Sequence, residues 1–417
     1  MKDRRVVVTG LGALTPLGNN VNEYWESLEK GVSGAAPINN FDASKFKTRF
    51  ACELKNYDPK EHFDRKELRK IDPFTQYALI AVKEAIEHSG AEIENMDSNR
   101  AGVIWGSGIG GLQTFYEEVK NFAEGDGTPR FNPFFIPKMI IDIAAGHISM
   151  KFGLQGVNYA TVSACASSGN AIAEAYNYIQ HDKADLIVTG GSEAVINPVA
   201  IGGFNSMKAL SERNDEYQTA SRPFDQTRDG FVMGEGSGAF ILEELESAKK
   251  RGATIYAEIV GSGMSADAYH ITAPDPDGVG ARAVMENALK DAGIDKEKIG
   301  YINVHGTSTP LGDKSELKAI KEVFGDQAYN LNISSTKSMH GHLLGAAGSI
   351  EAIASLLPLR KGVIPPTINH QHNDPEIDDK LNLTFNEAQE KKIDYIMSNA
   401  FGFGGHNVSL ILKKFAD

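Results

Sequence analysis

Residues 161–179 read TVSACASSGNAIAEAYNYI: a β-prone Thr161-Val162-Ser163, small residues around Cys165, and then an Ala-rich helical stretch. From Ser168 to Ile179 the apolar Ile172, Ala175 and Ile179 recur at three- and four-residue spacing, which places them on one buried helical face. A β-prone run that stops at small residues and re-enters as a helix is the punctuation of a strand-to-helix turn. That punctuation recurs along the chain. Glycine supplies 42 of the 417 residues, clustered directly after short β-branched runs rather than in one linker. Strand candidates are Val6–Thr9, Val103–Trp105, Leu186–Thr189, Ala239–Leu242, Ile255–Val260, Tyr301–Val304, Ile333–Ser335, Tyr395–Ser398 and Val408–Leu412. Several are apolar throughout instead of alternating, the pattern of strands covered by helices on both faces. The fold class is therefore α/β.

A faint internal duplication appears when the two ends of the chain are compared. DGFVMGEGSGAFILEEL (229–245) and AFGFGGHNVSLILKKF (400–415) share a Gly-Phe loop and then a hydrophobic strand ending in charges. VIWGSGIGG (103–111) pairs with INVHGTSTPLG (302–312), and TVSACASSG (161–169) with ISSTKSMHGH (333–342). Two similar halves follow, 1–252 and 253–417. The longer first half is expected to carry the insertions that shape a pocket or a dimer face. No low-complexity linker separates them, so they are expected to pack as one body.

Composition narrows the function. With 41% hydrophobic and 23% charged residues, the chain has the apolar content for a large core. A net charge of −13 argues against sequence-independent nucleic-acid binding, which needs a basic surface to displace counterions. The opening MKDRRVVVTG has three consecutive valines, short of the ~7 to 15 apolar residues of a signal peptide. No stretch approaches the ~20 apolar residues that span a bilayer. A cytoplasmic protein without membrane or nucleic-acid partners is expected. Cys52 and Cys165, the two cysteines, stand 113 positions apart, which supports neither a disulfide scaffold nor a CxxC zinc site.

Cys165 is placed at a helix N-terminus, where the macrodipole and free backbone N–H groups favour the nucleophilic thiolate. A buried structural cysteine is the alternative reading. Cys52, in FACELKN, has no such surroundings and is read as structural. His305 ends a strand and opens Gly306-Thr307-Ser308-Thr309-Pro310; His342 lies in KSMHGH, between a strand and a Gly/Ala-rich helix. In a doubly covered sheet, ligands bind beyond the carboxyl ends of strands, and Cys165, His305 and His342 each fall there. Three reactive residues at comparable strand ends point to a shared site.

Metal and nucleotide readings fail on spacing. No acidic or cysteine partner at ligand spacing follows His340 and His342, and His370 and His372 lie in a Pro/Asn-rich loop. The loops Gly106-Ser107-Gly108-Ile109-Gly110-Gly111 and Gly402-Phe403-Gly404-Gly405 invite a nucleotide reading, but neither is a GxxxxGK[ST] phosphate loop. Close approach of backbone to a substrate explains them better.

Taken together, SACASSGNAI (163–172), VHGTSTPLGD (304–313) and KSMHGHLLGAAG (337–348) resemble the condensing enzymes of the thiolase-like superfamily, specifically the β-ketoacyl-acyl-carrier-protein synthases of type II. The resemblance spans the chain from VVVTGLGALTPLG (6–18) to SNAFGFGGHN (398–407). A Cys-His-His set distinguishes this branch from type III synthases, with Cys-His-Asn, and from thiolases, with a second cysteine.

The resemblance implies a five-layered α-β-α-β-α fold of two βαβαβ-type halves and a decarboxylative Claisen condensation in fatty-acid elongation. It implies that Cys165 is acylated from an acyl-carrier-protein thioester, that its N–H and that of Phe401 form an oxyanion hole, and that His305 and His342 hold the malonyl thioester oxygen. Lys337 and Glu351 resemble the supporting pair that orients His342. Thr307 and Thr309 resemble the hydroxyls that bind the pantetheine arm, Phe204 and Ile109 the acyl-pocket lining, and Phe401 the gate. His406 is assigned no role. No cofactor is implied beyond the 4′-phosphopantetheine of the carrier protein. A homodimer is implied, with carrier docking on Lys66, Arg69 and Lys70, at helical spacing with Arg65, and on Lys138 and Lys208. The alternatives are a type I or polyketide-type ketosynthase, a non-catalytic chain-length partner subunit, and a Cys-His hydrolase.

Overall fold

The computed structural model describes residues 4–416. Met1–Asp3, at the head of the MKDRR stretch, and Asp417 lie outside the described residues. Ten principal strands hydrogen-bond in one continuous run that divides into two five-stranded sheets, one from each half. The first contains β1 (Val6–Leu14), β2 (Ala101–Gly106), β3 (Asn158–Thr161), β4 (Leu186–Glu193) and β5 (Gly236–Glu244), in the spatial order β1-β5-β4-β2-β3. The second contains β6 (Ala257–Ala266), β7 (Ile299–Asn303), β8 (Asn332–Ser334), β9 (Tyr395–Gly402) and β10 (His406–Lys413), in the order β6-β10-β9-β7-β8. The two orders are the same, position for position. So are the directions: the first two contacts in each sheet are antiparallel and the last two parallel. Every segment paired in the duplicated sequence occupies the equivalent place. β1 and β6 join the sheets edge to edge over Val6–Val8 and Ala257–Ile259.

Helices make the other three layers. On the outer face of the first sheet lie α1 (Pro73–Ser89) and α3 (Ile143–Phe152), which follows α2 (Leu112–Glu124) in the chain. Between the sheets pack α4 (Ser167–Gln180) and α7 (Ala347–Lys361). Outside the second sheet lie α5 (Val279–Ala292) and α6 (Pro310–Phe324). The order is α-β-α-β-α, the five-layered thiolase-like arrangement. α7 is buried on every side from Ala347 to Leu359, as a helix in a middle layer must be. Ile350, Ile353 and Leu356 are fully buried there, and each such side chain contributes about 1.5–3 kcal/mol over leaving it in water. The two middle helices touch through glycine: a Cβ on Gly348 would stand 2.6 Å from the Gly169 nitrogen.

Some boundaries differ from the sequence expectation. The Ile255–Val260 strand begins at Ala257 and runs on to Ala266, because its long ladder with β10 carries it past the last contiguous apolar residue. The strands expected to end at Val304 and Ser335 stop at Asn303 and Ser334. The strand before Cys165, expected over the β-prone Thr161-Val162-Ser163, ends two residues earlier: β3 is an edge strand of four residues without a buried run. Among the described residues no helix is long and apolar enough to cross a membrane.

Candidate active site

β3 stops at Thr161, and the chain turns through Ala164, whose φ of 49° lies in the left-handed region that residues with a Cβ seldom enter. Local hydrogen bonds hold the turn. Ser167 Oγ donates to Ala164 O (2.7 Å) and accepts from Ser163 N–H (2.9 Å), while Thr161 Oγ1 donates to Ser167 O (2.8 Å). Ala164–Ala166 forms one 3-10 turn before α4, and Cys165 in it is 7% exposed. Its side chain lines a cavity of about 240 Å3 shared with His305, His342, Thr307, Thr309, Phe204, Phe401 and Phe403.

His305 leaves the end of β7 and is fixed by its backbone. The N–H groups of His305 and Gly306 donate to the two oxygens of Glu316 on α6, each at 2.9 Å, and Asn399 Nδ2 adds a third donor at 3.3 Å. His342 N–H donates to Val232 O (2.7 Å), and Gly234 N–H donates to His342 O (2.9 Å), which ties the second half to the loop before β5. The two imidazoles meet edge to face with centroids 5.4 Å apart; Phe231 abuts His342 at 5.2 Å and Phe401 abuts His305 at 5.6 Å. His340 is engaged at both nitrogens, with Gly341 O (2.8 Å) and Thr336 Oγ1 (3.0 Å), and has a structural role. Among the described residues no group of three or more His, Cys, Asp or Glu side chains gathers as a metal site.

Burial sets the protonation states. It holds His305 and His342 well below the usual 6.5, helped by the positive charge of Lys337, so both rings are neutral. The expected bias of Cys165 toward thiolate is corrected: burial pushes its thiol up to about 12, against the opposing pull of Lys337. The resting side chain is a thiol. Cys52 is likewise pushed up to about 12, packed against Phe50 and Val232 away from the cavity, in keeping with a structural residue. Lys337 and Glu351 are in direct ionic contact, 1% and 0% exposed.

The amide that reaches the Cys165 sulfur is that of Phe403, two residues beyond Phe401. Phe401 still lies in β9, opposite Asn407, and only after Gly402 does the chain turn through Gly404 and Gly405 and carry an N–H to the thiol. Thr307 and Thr309 stand together in the cavity wall with hydroxyls 3.1 Å apart. Phe204 lies between Phe231 and Phe403. Ile109 is not in the wall of the open cavity; it packs on the apolar cluster that contains Cys165, Val195, Ile201 and Leu344. Arg65, Lys66, Arg69, Lys70 and Lys208 are exposed and Lys138 is half-buried. Only Arg65–Leu68 of the basic stretch is helical, and Lys70 lies 5.8 Å from the Phe134 ring, near Lys138.

Sequence reasoning missed Phe403, Glu316, Asp313 and Glu193 as site-shaping residues. Asp313 accepts from Ser308 N–H (3.1 Å) and pairs with Arg228 (3.3 Å), fixing the threonine loop. Asp313 and Glu316 stand on the same helical face as Leu317 and Ile320, so a charge set into an apolar stripe was the available signal.

Two repeated α/β halves that bring a cysteine and two neutral histidines to one cavity define a condensing enzyme of thiolase-like fold. The chain belongs to the beta-ketoacyl synthase family: the family's N-terminal domain matches residues 3–248 and its C-terminal domain residues 256–371. It is an acyltransferase of the condensing type. It is 50% identical over 414 residues to 3-oxoacyl-acyl-carrier-protein synthase 2 of Staphylococcus aureus (strain N315), covering 99% of both chains. It is 50% identical to the protein of the same name from Coxiella burnetii (strain RSA 493 / Nine Mile phase I), covering 100% of both. Among solved structures, a beta-ketoacyl synthase from Burkholderia phymatum STM815 matches with a TM-score of 0.92 at 36% identity, over 99% of this chain and 100% of that one. A type II polyketide ketosynthase in complex with its acyl-carrier protein matches at 0.90 and 33% identity, with the same coverage.

Proposed function

We propose that this chain elongates fatty acyl groups by condensing malonyl-acyl-carrier protein with an acyl group held on Cys165. The thiol attacks the acyl-carrier thioester, the carrier leaves as its free thiol, and the oxyanion is held by the N–H groups of Cys165 and Phe403. A donor of this kind contributes about 10² to 10³ in rate. Malonyl-carrier protein then enters along Thr307 and Thr309, and neutral His305 and His342 donate to its thioester oxygen. Loss of carbon dioxide leaves a carbanion equivalent that attacks the acyl-Cys165 carbonyl; the carbon–sulfur bond breaks and 3-oxoacyl-carrier protein departs. Lys337 and Glu351 act behind the histidines as a positioning pair. The observation that carries this reading is that Cys165, both imidazoles and the Phe403 loop line a single cavity.

The two halves are divided at 252/253. The only prosthetic group in the reaction is the carrier's phosphopantetheine, and the enzyme acts in the cytoplasm. The protein works as a homodimer: β3 is the outermost strand of the first sheet, Val162 beside it is 57% exposed, and Phe115, Val119 and Phe122 make an exposed apolar row on α2. At the other end, a bridge from Asn332 to Asn382 covers β8. The acidic carrier docks on Lys66, Arg69, Lys70 and Lys138, and on Lys208 beside Met207 and Ala209 at the cavity mouth. Fatty-acid elongation is favoured over a polyketide route by the 50% identity to the synthases against 33% for the polyketide ketosynthase.

Supplying acyl- and malonyl-carrier proteins is expected to give carbon dioxide and a product two carbons longer. Release of free acid without elongation would instead identify a hydrolase.

A further inference from the structure

Glu193 ends β4, is fully buried, and forms no ion pair among the described residues. Its charge is met by donors alone. Oε1 accepts from Ser107 Oγ (3.0 Å), Ile109 N–H (3.1 Å) and Gly110 N–H (3.3 Å); Oε2 accepts from Gly108 N–H (2.8 Å) and Gly345 N–H (2.9 Å). Four of the donors belong to the Ser107–Gly110 loop of the first half. The fifth belongs to the second half, between His342 and α7.

The loops close on the carboxylate tightly enough to exclude side chains. A Cβ on Gly345 would stand 2.2 Å from Gly108 N and 2.6 Å from Glu193 Oε2; one on Gly108 would stand 2.8 Å from Oε2 and 3.3 Å from Ala164 O, in the nucleophile turn. A buried carboxylate without countercharge is tolerable only while its donors stay in place, since each one lost leaves desolvated charge behind. Glu193 therefore holds two loops at fixed separation, one of them packed on the Ala164 turn before Cys165, although it does not line the reaction cavity.

We propose that Glu193 is a positioning residue for acyl-chain selection: by tying the Ile109 backbone to that of Gly345, it sets the passage beside Cys165 through which the acyl chain runs. This rests on the reading that Cys165 is the acylated thiol and that the Ile109 loop borders its acyl chain. The passage fails first for chains that must reach deepest, so long chains depend on the clamp and short ones do not.

Glu193→Gln keeps the shape but turns an NH2 toward N–H donors, so one loop is released. Intact-mass acylation time courses with carrier proteins bearing short and long acyl chains read the effect. The expected result is a loss of about tenfold or more in kcat/KM for the longest chains the wild type accepts, and less than about threefold for the shortest. Ser107→Ala removes one donor to Glu193 and one of the two acceptors of Gly110 N–H; it keeps the test open if the first variant does not fold, and is expected to move the ratio of long to short chains by about two- to fivefold in the same direction. An equal loss at every length, or an unchanged profile in folded Ser107→Ala, overturns the proposal. Failure of wild-type Cys165 to acylate at all overturns the site reading beneath it, which the wild-type arm separates.

Discussion

Gly402 closes β9 against the nucleophile turn, and replacing it with alanine tests how the thiol is activated. A Cβ there would stand 2.5 Å from Ser163 O, 3.1 Å from Cys165 N and 3.2 Å from Ala166 N. A carbon needs roughly 3.4 Å from a carbonyl oxygen, so the β9 end and the Cys165 turn must part by roughly 0.9 Å. Phe403, whose N–H reaches the sulfur, is the next residue in the chain, so the displacement disturbs that contact. Misplacement by about 1 Å costs about 10²-fold, and loss of one oxyanion donor about 10² to 10³. Gly402→Ala is therefore expected to slow acylation of Cys165 by about 10² to 10³, or about 3–4 kcal/mol of barrier, for about 1–3 kcal/mol of stability. Single-turnover mass spectrometry with acyl-carrier protein gives the acylation rate. Malonyl decarboxylation should stay within about fivefold of wild type, because the histidines are held by Glu316 and Val232 instead. Acylation within about threefold of wild type in a folded variant would refute the reasoning.

Cys165→Gln is expected to abolish condensation while malonyl decarboxylation persists; loss of both activities in folded protein would contradict the separate work of the histidine pair. Ile109→Phe should shorten the longest acyl chain accepted, read from product lengths, and an unchanged profile would remove Ile109 from the acyl path. His305 and His342 are shifted down from 6.5, so both stay neutral as pH falls from 8 to about 6, and decarboxylation should be flat across that range. A decline with its midpoint near 6.5 would show that one ring titrates normally. Lys337→Met leaves Glu351 buried without its partner and should cost about 3–5 kcal/mol in urea unfolding, most of it recovered in Lys337→Met/Glu351→Leu. Equal losses in the single and double variants would argue against the pair.

The strands buried on both faces were legible because their apolar runs have no second explanation, and the duplicated loops could be paired by eye for the same reason. β3 was read two residues late, at Thr161-Val162-Ser163: at a sheet edge nothing demands a buried face, and Asn158 is exposed. Cys165, His305 and His342 were readable from their positions after strands. The protonation state of the thiol was not, because helix position pushes one way and burial, which no local segment reveals, pushes the other and prevails. The Phe403 amide was not singled out, because two residues decide whether an N–H belongs to a ladder or to a turn. Glu193 was invisible as an organiser, since its Gly108 partner stands 85 positions away and a carboxylate's acceptor count leaves no mark on composition.

The second strand of each half leads to the Ile109 loop and to His305; the third leads to Cys165 and to His342. Twin addresses in the repeated plan thus hold different tools, and those tools face one another across the seam. Cut along that seam, one fragment would keep a thiol without imidazoles and the other imidazoles without a thiol, so neither copy is a smaller version of the whole.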